Sequence, residues 1–483
     1  MRRLALALGL GLALAGVAEA RDPSPGSLKR AIDRLVDRPA FASATWGIEV
    51  RSLTSRRVLY ARNAGKNMKP ASTLKLLATA AALDAFGPDD RVRTTVETSA
   101  RQDALGRLLG DVHLVGRGDA NLSGRFTDGR ITAAFEELAD ALVAAGVKRI
   151  EGRLVGNEGL FRGDRRGDDW AWDDLVWWYG AEVSALSFND NSLDLEVGPG
   201  ERAGDPVVVD SAPLTAYARV ESVATTSQAG AESDLTVERP LGGNVIRISG
   251  THPLGKEPWQ GSVALEDPAR YAASVFAEVL STRGIRVTGG VATSSEPPPA
   301  DARVLAAHAG PPLSEALKAV NKPSQNLHAE LLLRRLGAGR PGQDSLKAGH
   351  EALREFLKRS GVPLEAGDLR DGSGLSRSDL ISPHQLVELL VAMDRHPHAQ
   401  VFRDSLPIAG VDGTLKKRLA TAPTQGRVLA KTGTLRHVSG LAGYAPSRAG
   451  ARIAFAIVVN HHDRPSREAI AAIDEIVRAL VGS

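Results

Sequence analysis

The stretch from about Arg91 to about Pro299 is unlike the chain on either side of it. It consists of short β-rich runs separated by glycine, such as Gly110-Asp111-Val112-His113-Leu114-Val115-Gly116, with helical patterns only near residues 131–145 and 268–284. Before it, residues 45–51 and 57–61 alternate apolar and polar side chains across a turn, which predicts a hairpin. An Ala- and Leu-rich run then predicts a helix from near Ala71, stopped at Phe86-Gly87-Pro88. After the block come helical patterns near 313–320, 326–336, 345–360 and 382–395, strand-like runs at 427–430 and 452–459, and a last helix near 466–481. These two ends can complete one domain only if the block between them is extruded from a loop, and nothing in the pattern prevents them from sharing one sheet. The expected fold is α+β. A split body covers residues 21–92 and 300–483, a β-rich inserted domain covers 93–198 and 252–299, and a smaller β subdomain, richest in Val, Thr and Ser, is nested at 199–251. Ser295-Glu296-Pro297-Pro298-Pro299 marks the return linker. Four of the six tryptophans lie between Trp170 and Trp178, where a local core is expected.

The first residues read as an export signal. Arg2 and Arg3 precede an apolar run at 4–17, and Ala18-Glu19-Ala20 places small residues at both cleavage-determining positions. This predicts a signal peptide at 1–20 and a periplasmic location. The run is too short to span a bilayer and no other stretch reaches that length, so at most peripheral membrane contact is expected. There is no cysteine, so an exported chain of this kind holds together without disulfides and has no thiol nucleophile. The formal net charge is +3 and no basic run is interleaved with aromatics, which argues against nucleic-acid binding. Oligomeric state is not legible from the sequence.

The chemistry is concentrated in three short segments. Ser72 and Lys75, in Pro70-Ala71-Ser72-Thr73-Leu74-Lys75, share a face of the predicted helix. A serine needs an adjacent base to become a nucleophile. A lysine becomes that base when burial or a neighbouring cation lowers its pKa. Alone, the pair is also what an ordinary helix start contains. Ser324-Gln325-Asn326 follows Lys322-Pro323 and enters a predicted helix. Ser324 can carry a proton between Lys75 and a leaving amine, and the Asn326 amide can hold a substrate carbonyl and one proton of Lys75. Ser and Asn favour helix N-caps for structural reasons as well. Lys431-Thr432-Gly433-Thr434 closes a strand. Gly433 lets a substrate backbone lie against that strand. Lys431 and Thr432 can hold a carboxylate, Lys431 can lower the Lys75 pKa, and the backbone N–H groups of Ser72 and Thr434 can form an oxyanion hole. Alone, this is a strand running into a turn. In this order, Ser-x-x-Lys, Ser-x-Asn and Lys-Thr-Gly form the triplet of penicillin-binding proteins and class A β-lactamases. Other motifs carry less. Residues 250–256 nearly spell a phosphate loop, but Glu257 replaces the required Ser or Thr and Pro258 opposes the following helix. His461-His462-Asp463 has no further ligand at metal spacing. Neither a metal nor a cofactor is expected.

With these motifs in place, the chain resembles the D-alanyl-D-alanine carboxypeptidase/endopeptidases of the type-4, class C low-molecular-mass penicillin-binding proteins. The resemblance extends over nearly all of the sequence after the signal. It includes Phe86-Gly87-Pro88-Asp89, Asp371-Gly372-Ser373-Gly374-Leu375-Ser376-Arg377, Gly410-Val411-Asp412-Gly413-Thr414-Leu415, and the long insertion between nucleophile and Ser-x-Asn. It implies a penicillin-binding, β-lactamase-like transpeptidase domain carrying two nested inserted domains. It implies peptidoglycan stem peptides as substrates and β-lactam antibiotics as covalent inhibitors. It also implies a pocket for the third residue of the stem, with Asp174 and Tyr179 from the insertion and Arg377 from the catalytic domain. Asp174 would pair with the amino group of a diamino acid. One departure is Arg436, where a neutral polar side chain is expected; a cation there pairs with a carboxylate of the diamino acid or repels its amine. The expected activity is that of a serine-type D,D-peptidase cleaving D-Ala-D-Ala bonds, D-Ala–diamino acid bonds, or both. The alternatives are a β-lactamase of the same fold, to which the inserted domains would be surplus, and a non-hydrolytic peptidoglycan-binding protein that keeps the pocket.

Overall fold

The structure is a computed structural model, and residues 22–338, 340, 342–363 and 368–482 are described. The predicted signal peptide lies outside the described residues. The two ends of the chain share one sheet. Its five antiparallel strands run in the order Leu429–Leu435, Val438–Pro446, Arg452–Asn460, Thr45–Ser52, Val58–Arg62. The predicted hairpin supplies the last two, and Trp46 and Ile48 pair with Val459 and Ile457 from the far end of the sequence.

The central strand is apolar from Ile453 to Val459 because both of its faces are covered. Ile453, Phe455, Ile457 and Val459 enter a core with Leu28, Ile32, Ile473 and Val477 of helices Pro25–Val36 and Ser466–Gly482. Ala454, Ala456 and Val458 enter a second core with Leu76, Leu77, Leu386 and Leu390. The smaller residues on this face let helix Pro383–Asp394 lie close to the sheet. Helix Lys75–Phe86 is buried at every position from Lys75 to Leu83. It packs against Leu313–Asn321, Asn326–Gly337 and Ser345–Arg359. A helix apolar on all sides belongs in an interior; here alanines let its neighbours approach the axis.

Between Phe86 and Leu313 the chain builds further sheets. The largest has five strands in the order Val291–Ser294, Leu154–Asn157, Val112–Val115, Arg93–Thr98, Arg303–Ala309, and mixes parallel with antiparallel pairs. Phe135 and Phe276, on helices Ala133–Ala144 and Pro268–Thr282, lie in its core, where Phe135 stacks on Phe188 at 4.6 Å. Strands Trp259–Ala264, Ser192–Gly198 and Val208–Ala212 form another sheet. Beyond them Val245–Pro253 pairs with Arg219–Ser222, Thr225–Ser227 and Asp234–Glu238. Strand Arg303–Ala309 pairs with Arg93–Thr98, so the chain leaves and returns to one sheet on either side of the insertion.

The clustered tryptophans do not form the expected local core. Trp177 packs on Trp259 with ring centres 6.4 Å apart, Trp178 stands edge-on to Tyr179, and Trp172 is 76% exposed. Trp170 reaches the loop after helix Ser345–Arg359 and donates to Asp371 Oδ2 at 2.9 Å. Among the described residues no helix is long and apolar enough to cross a membrane.

Candidate active site

The Ser-x-x-Lys segment straddles a change of winding. Ala71–Leu74 is a 3-10 turn and the α-helix proper begins at Lys75. Ala71 is in the left-handed region at φ 48°, an uncommon state for a residue with a Cβ. Ser72 is partly exposed, whereas Lys75 is fully buried. Lys75 Nζ donates to Ser72 Oγ at 2.8 Å, Asn326 Oδ1 at 2.7 Å and the Ser373 carbonyl at 2.8 Å. Those three bonds use every proton of an ammonium. Once one proton is lost, Nζ has a lone pair 2.8 Å from the serine oxygen. Burial brings the Lys75 pKa down to about 7, against the opposing pull of Asp371, Glu330 and Asp379.

The other two motifs converge here. Asn326 opens helix Asn326–Gly337, and its Nδ2 donates to the Tyr179 carbonyl at 2.8 Å, so its oxygen faces Lys75. Asp190, also from the insertion, accepts from Gln325 Nε2 at 2.9 Å and from Arg125 Nη2 at 2.7 Å, and lies 2.9 Å from His328 Nε2. The insertion therefore grips the Ser-x-Asn segment from outside. Ser324 sits at φ 69° and accepts from Lys431 Nζ at 2.9 Å. Lys431 is fully buried, and burial together with the Lys75 charge pushes its pKa well below the ordinary lysine range. Thr432 Oγ1 donates to Thr414 Oγ1 at 2.8 Å, while Thr434 stands exposed near the strand end.

Two glycines are required by the approach of neighbouring backbone. A Cβ on Gly433 would lie 2.7 Å from the Pro70 carbonyl, so the edge strand presses against the turn that carries Ser72. A Cβ on Gly374, at φ 77°, would lie 2.0 Å from the Ala71 carbonyl. Gly374→Ala must therefore displace the serine turn, and a displacement near 1 Å at reacting atoms costs about 100-fold in rate. Acylation by a β-lactam, measured beside a thermal melt, checks this; a rate within a factor of three of wild type would contradict the geometry.

The residues expected at the third-residue pocket are only partly assembled. Asp174 Oδ2 lies 3.9 Å from Arg377 Nη2 and has no hydrogen-bond partner, and burial raises its pKa. Burial and the Asp174 charge push the Tyr179 hydroxyl up to about 12. Arg436 is exposed on the turn after strand Leu429–Leu435. Among the described residues it makes no hydrogen bond or ion pair.

Sequence reasoning missed the Ser373 carbonyl, Glu330, Thr414 and Trp170. Glu330 had a signal, since it follows Asn326 by four residues and so shares its helix face. A backbone carbonyl leaves no such trace.

Comparison with known proteins places the chain in a family. The family described as D-Ala-D-Ala carboxypeptidase 3 (S13) matches residues 28–480. A D-alanyl-D-alanine carboxypeptidase of Actinomadura sp. (strain R39) is 35% identical over 466 residues, which is 94% of this chain and 85% of that protein. D-alanyl-D-alanine carboxypeptidase DacB of Haemophilus influenzae is 27% identical over 422 residues, covering 86% of this chain and 85% of that one. The crystal structure of penicillin binding protein 4 (dacB) from Haemophilus influenzae superposes with a TM-score of 0.80 at 25% identity, over 93% of this chain and 98% of that one. With the match running from the first helix to the last and enclosing all three motifs, the chain belongs to the D-Ala-D-Ala carboxypeptidase 3 (S13) family.

Proposed function

We propose that this protein is a serine-type D,D-peptidase that cleaves peptidoglycan stem peptides through an acyl-serine intermediate. The observation that carries this reading is the buried Lys75 Nζ, 2.8 Å from a partly exposed Ser72 Oγ. Neutral Lys75 takes the Ser72 proton as the oxygen attacks the carbonyl between two D-alanines. The backbone N–H groups of Ser72 and Thr434 hold the developing oxyanion. Ser324, which accepts from Lys431 Nζ at 2.9 Å, passes the proton to the departing D-alanine. Lys431 and Thr432 receive the terminal carboxylate. A carboxylate beside Lys431 favours its charged form, so substrate binding restores a cation that burial disfavours. Water then hydrolyses the ester, with Lys75 again the base. β-Lactams offer a strained amide carbonyl in place of the D-Ala-D-Ala bond and acylate Ser72; in support, a structure of the Haemophilus influenzae protein is of a complex with a β-lactam. The protein acts in the periplasm after removal of residues 1–20. A D-Ala–diamino acid cross-link offers the same carbonyl to Ser72, so endopeptidase action is part of the proposal.

The test is product analysis on a pentapeptide ending in D-Ala-D-Ala and on cross-linked muropeptides. Free D-alanine and resolved cross-links are expected, with a penicilloyl adduct lasting minutes or longer. No D-alanine with an adduct would indicate a binder, and an adduct lost within seconds would indicate a β-lactamase.

Specificity at the third residue is assigned to Asp174, Tyr179 and Arg377, with Arg436 at the rim. The unpartnered oxygen of Asp174 supports a contact with a substrate amine. Asp174→Asn is expected to lower kcat/KM about 10-fold for peptides with a free amino group on that residue, the size of one charge-assisted hydrogen bond. Peptides with a neutral side chain there should be unaffected. Equal losses on both would remove Asp174 from the pocket.

A further inference from the structure

Glu330 is fully buried one turn beyond Asn326 on helix Asn326–Gly337. A carboxylate in such a place is tolerated only when its oxygens are met. Its Oε1 accepts the N–H groups of Gly372 and Ser373, both at 2.9 Å, and its Oε2 accepts from Arg334 Nη1 at 2.9 Å. The Ser373 carbonyl in turn accepts from Lys75 Nζ at 2.8 Å. One helix therefore meets Lys75 twice, directly through Asn326 and indirectly through Glu330 and the Ser373 backbone. We propose that Glu330 is a positioning residue for Lys75, fixing the backbone at Ser373, whose carbonyl holds the Lys75 nitrogen, and supplying negative charge beside it.

This inference rests on the acylation chemistry proposed for Ser72 and Lys75. The groups that bear on Lys75 are Glu330 from its helix, Asp371 and Asp379 from the following loop, and Lys431 from the edge strand. Arg334 is held by Glu330, and His350, on the adjoining helix Ser345–Arg359, is kept uncharged by burial. Burial and the Asp371 charge raise the Asp379 pKa. Burial likewise raises Glu330, to about 7. Glu330 and Lys75 thus titrate in one range, and each favours the charged form of the other. Removing the carboxylate makes the Lys75 ammonium less stable, so Lys75 turns into a base at lower pH.

The test is the pH profile of acylation by benzylpenicillin. In wild type the rate falls on the acid side of about pH 7. Glu330→Gln is expected to move that limb to lower pH by about one unit, the usual size of one close opposite charge. Glu330→Asp keeps the charge but loses reach to Gly372 and Ser373. Its limb should stay in place while the plateau rate drops about 10-fold. Asp379→Asn, which removes the weakest of the three acidic influences on Lys75, should move the limb by less than Glu330→Gln does. If Glu330→Gln does not fold, Glu330→Gln with Arg334→Gln removes the buried pair as a unit, a change folds commonly tolerate, and the same downward shift is expected. A limb at the wild-type pH with only a lower plateau would overturn the inference. A wild-type protein that forms no adduct, or forms one with no acid limb, would overturn the acylation reading itself.

Discussion

Ser72→Ala is expected to lose D-alanine release and β-lactam labelling by about a millionfold, the scale seen when the nucleophile of a serine hydrolase is removed. Two neighbouring hydroxyls are engaged elsewhere. Ser324 Oγ faces Lys431, and Thr73 Oγ1 donates back to the Pro70 carbonyl at 2.7 Å. The substitution should leave the fold intact. It deletes one partly exposed oxygen with a single hydrogen bond, worth about 1 kcal/mol, and Lys75 keeps Asn326 and Ser373 as acceptors. Intact-mass spectrometry after exposure to benzylpenicillin checks the labelling. A Ser72→Ala protein that still gains the antibiotic's mass would remove the nucleophile assignment.

Lys75→Met should cost about 1,000- to 10,000-fold in acylation, the upper range for loss of a general base. Methionine approximates the lysine in length and apolar bulk, so the enclosed helix keeps its packing while the proton acceptor disappears. The pH dependence distinguishes this loss from a local disturbance. Neutral Lys75 is the active form, so below its pKa of about 7 the wild-type rate should fall tenfold for each pH unit. Above that value it should level off. In Lys75→Met the residual rate should show no such limb. A variant that is slow yet keeps the wild-type profile would place the base elsewhere.

The elements legible in the sequence were those whose pattern reports burial directly. The hairpin alternates, and the strand Arg452–Asn460 is apolar from Ile453 to Val459 because two cores meet on it. Strand Val438–Pro446 was missed because its glycines break both patterns. They are there for their neighbours, since a Cβ on Gly443 would lie 2.1 Å from the Leu429 carbonyl. Helix Ala399–Ser405 is too short for a periodic signal. At the candidate site, Ser72, Lys75, Ser324, Asn326 and Lys431 were legible because their chemistry depends on residue type at fixed spacing. The Tyr179 carbonyl that orients Asn326 and the Ser373 carbonyl that holds Lys75 were not, because any residue has a carbonyl and only the fold aims it. Gly433 was expected to make room for a substrate; it also makes room for Pro70.

One measurement bears most directly on the claim that a buried lysine activates Ser72. Wild-type protein labelled with benzylpenicillin is digested, and the adduct is located by fragment-ion sequencing. The expected result is the full mass of the antibiotic, ring opened and nothing lost, on the Ser72 side chain alone. An adduct on Ser324, on Lys75 or on any other residue, or D-alanine release by a protein that never acquires one, would contradict it.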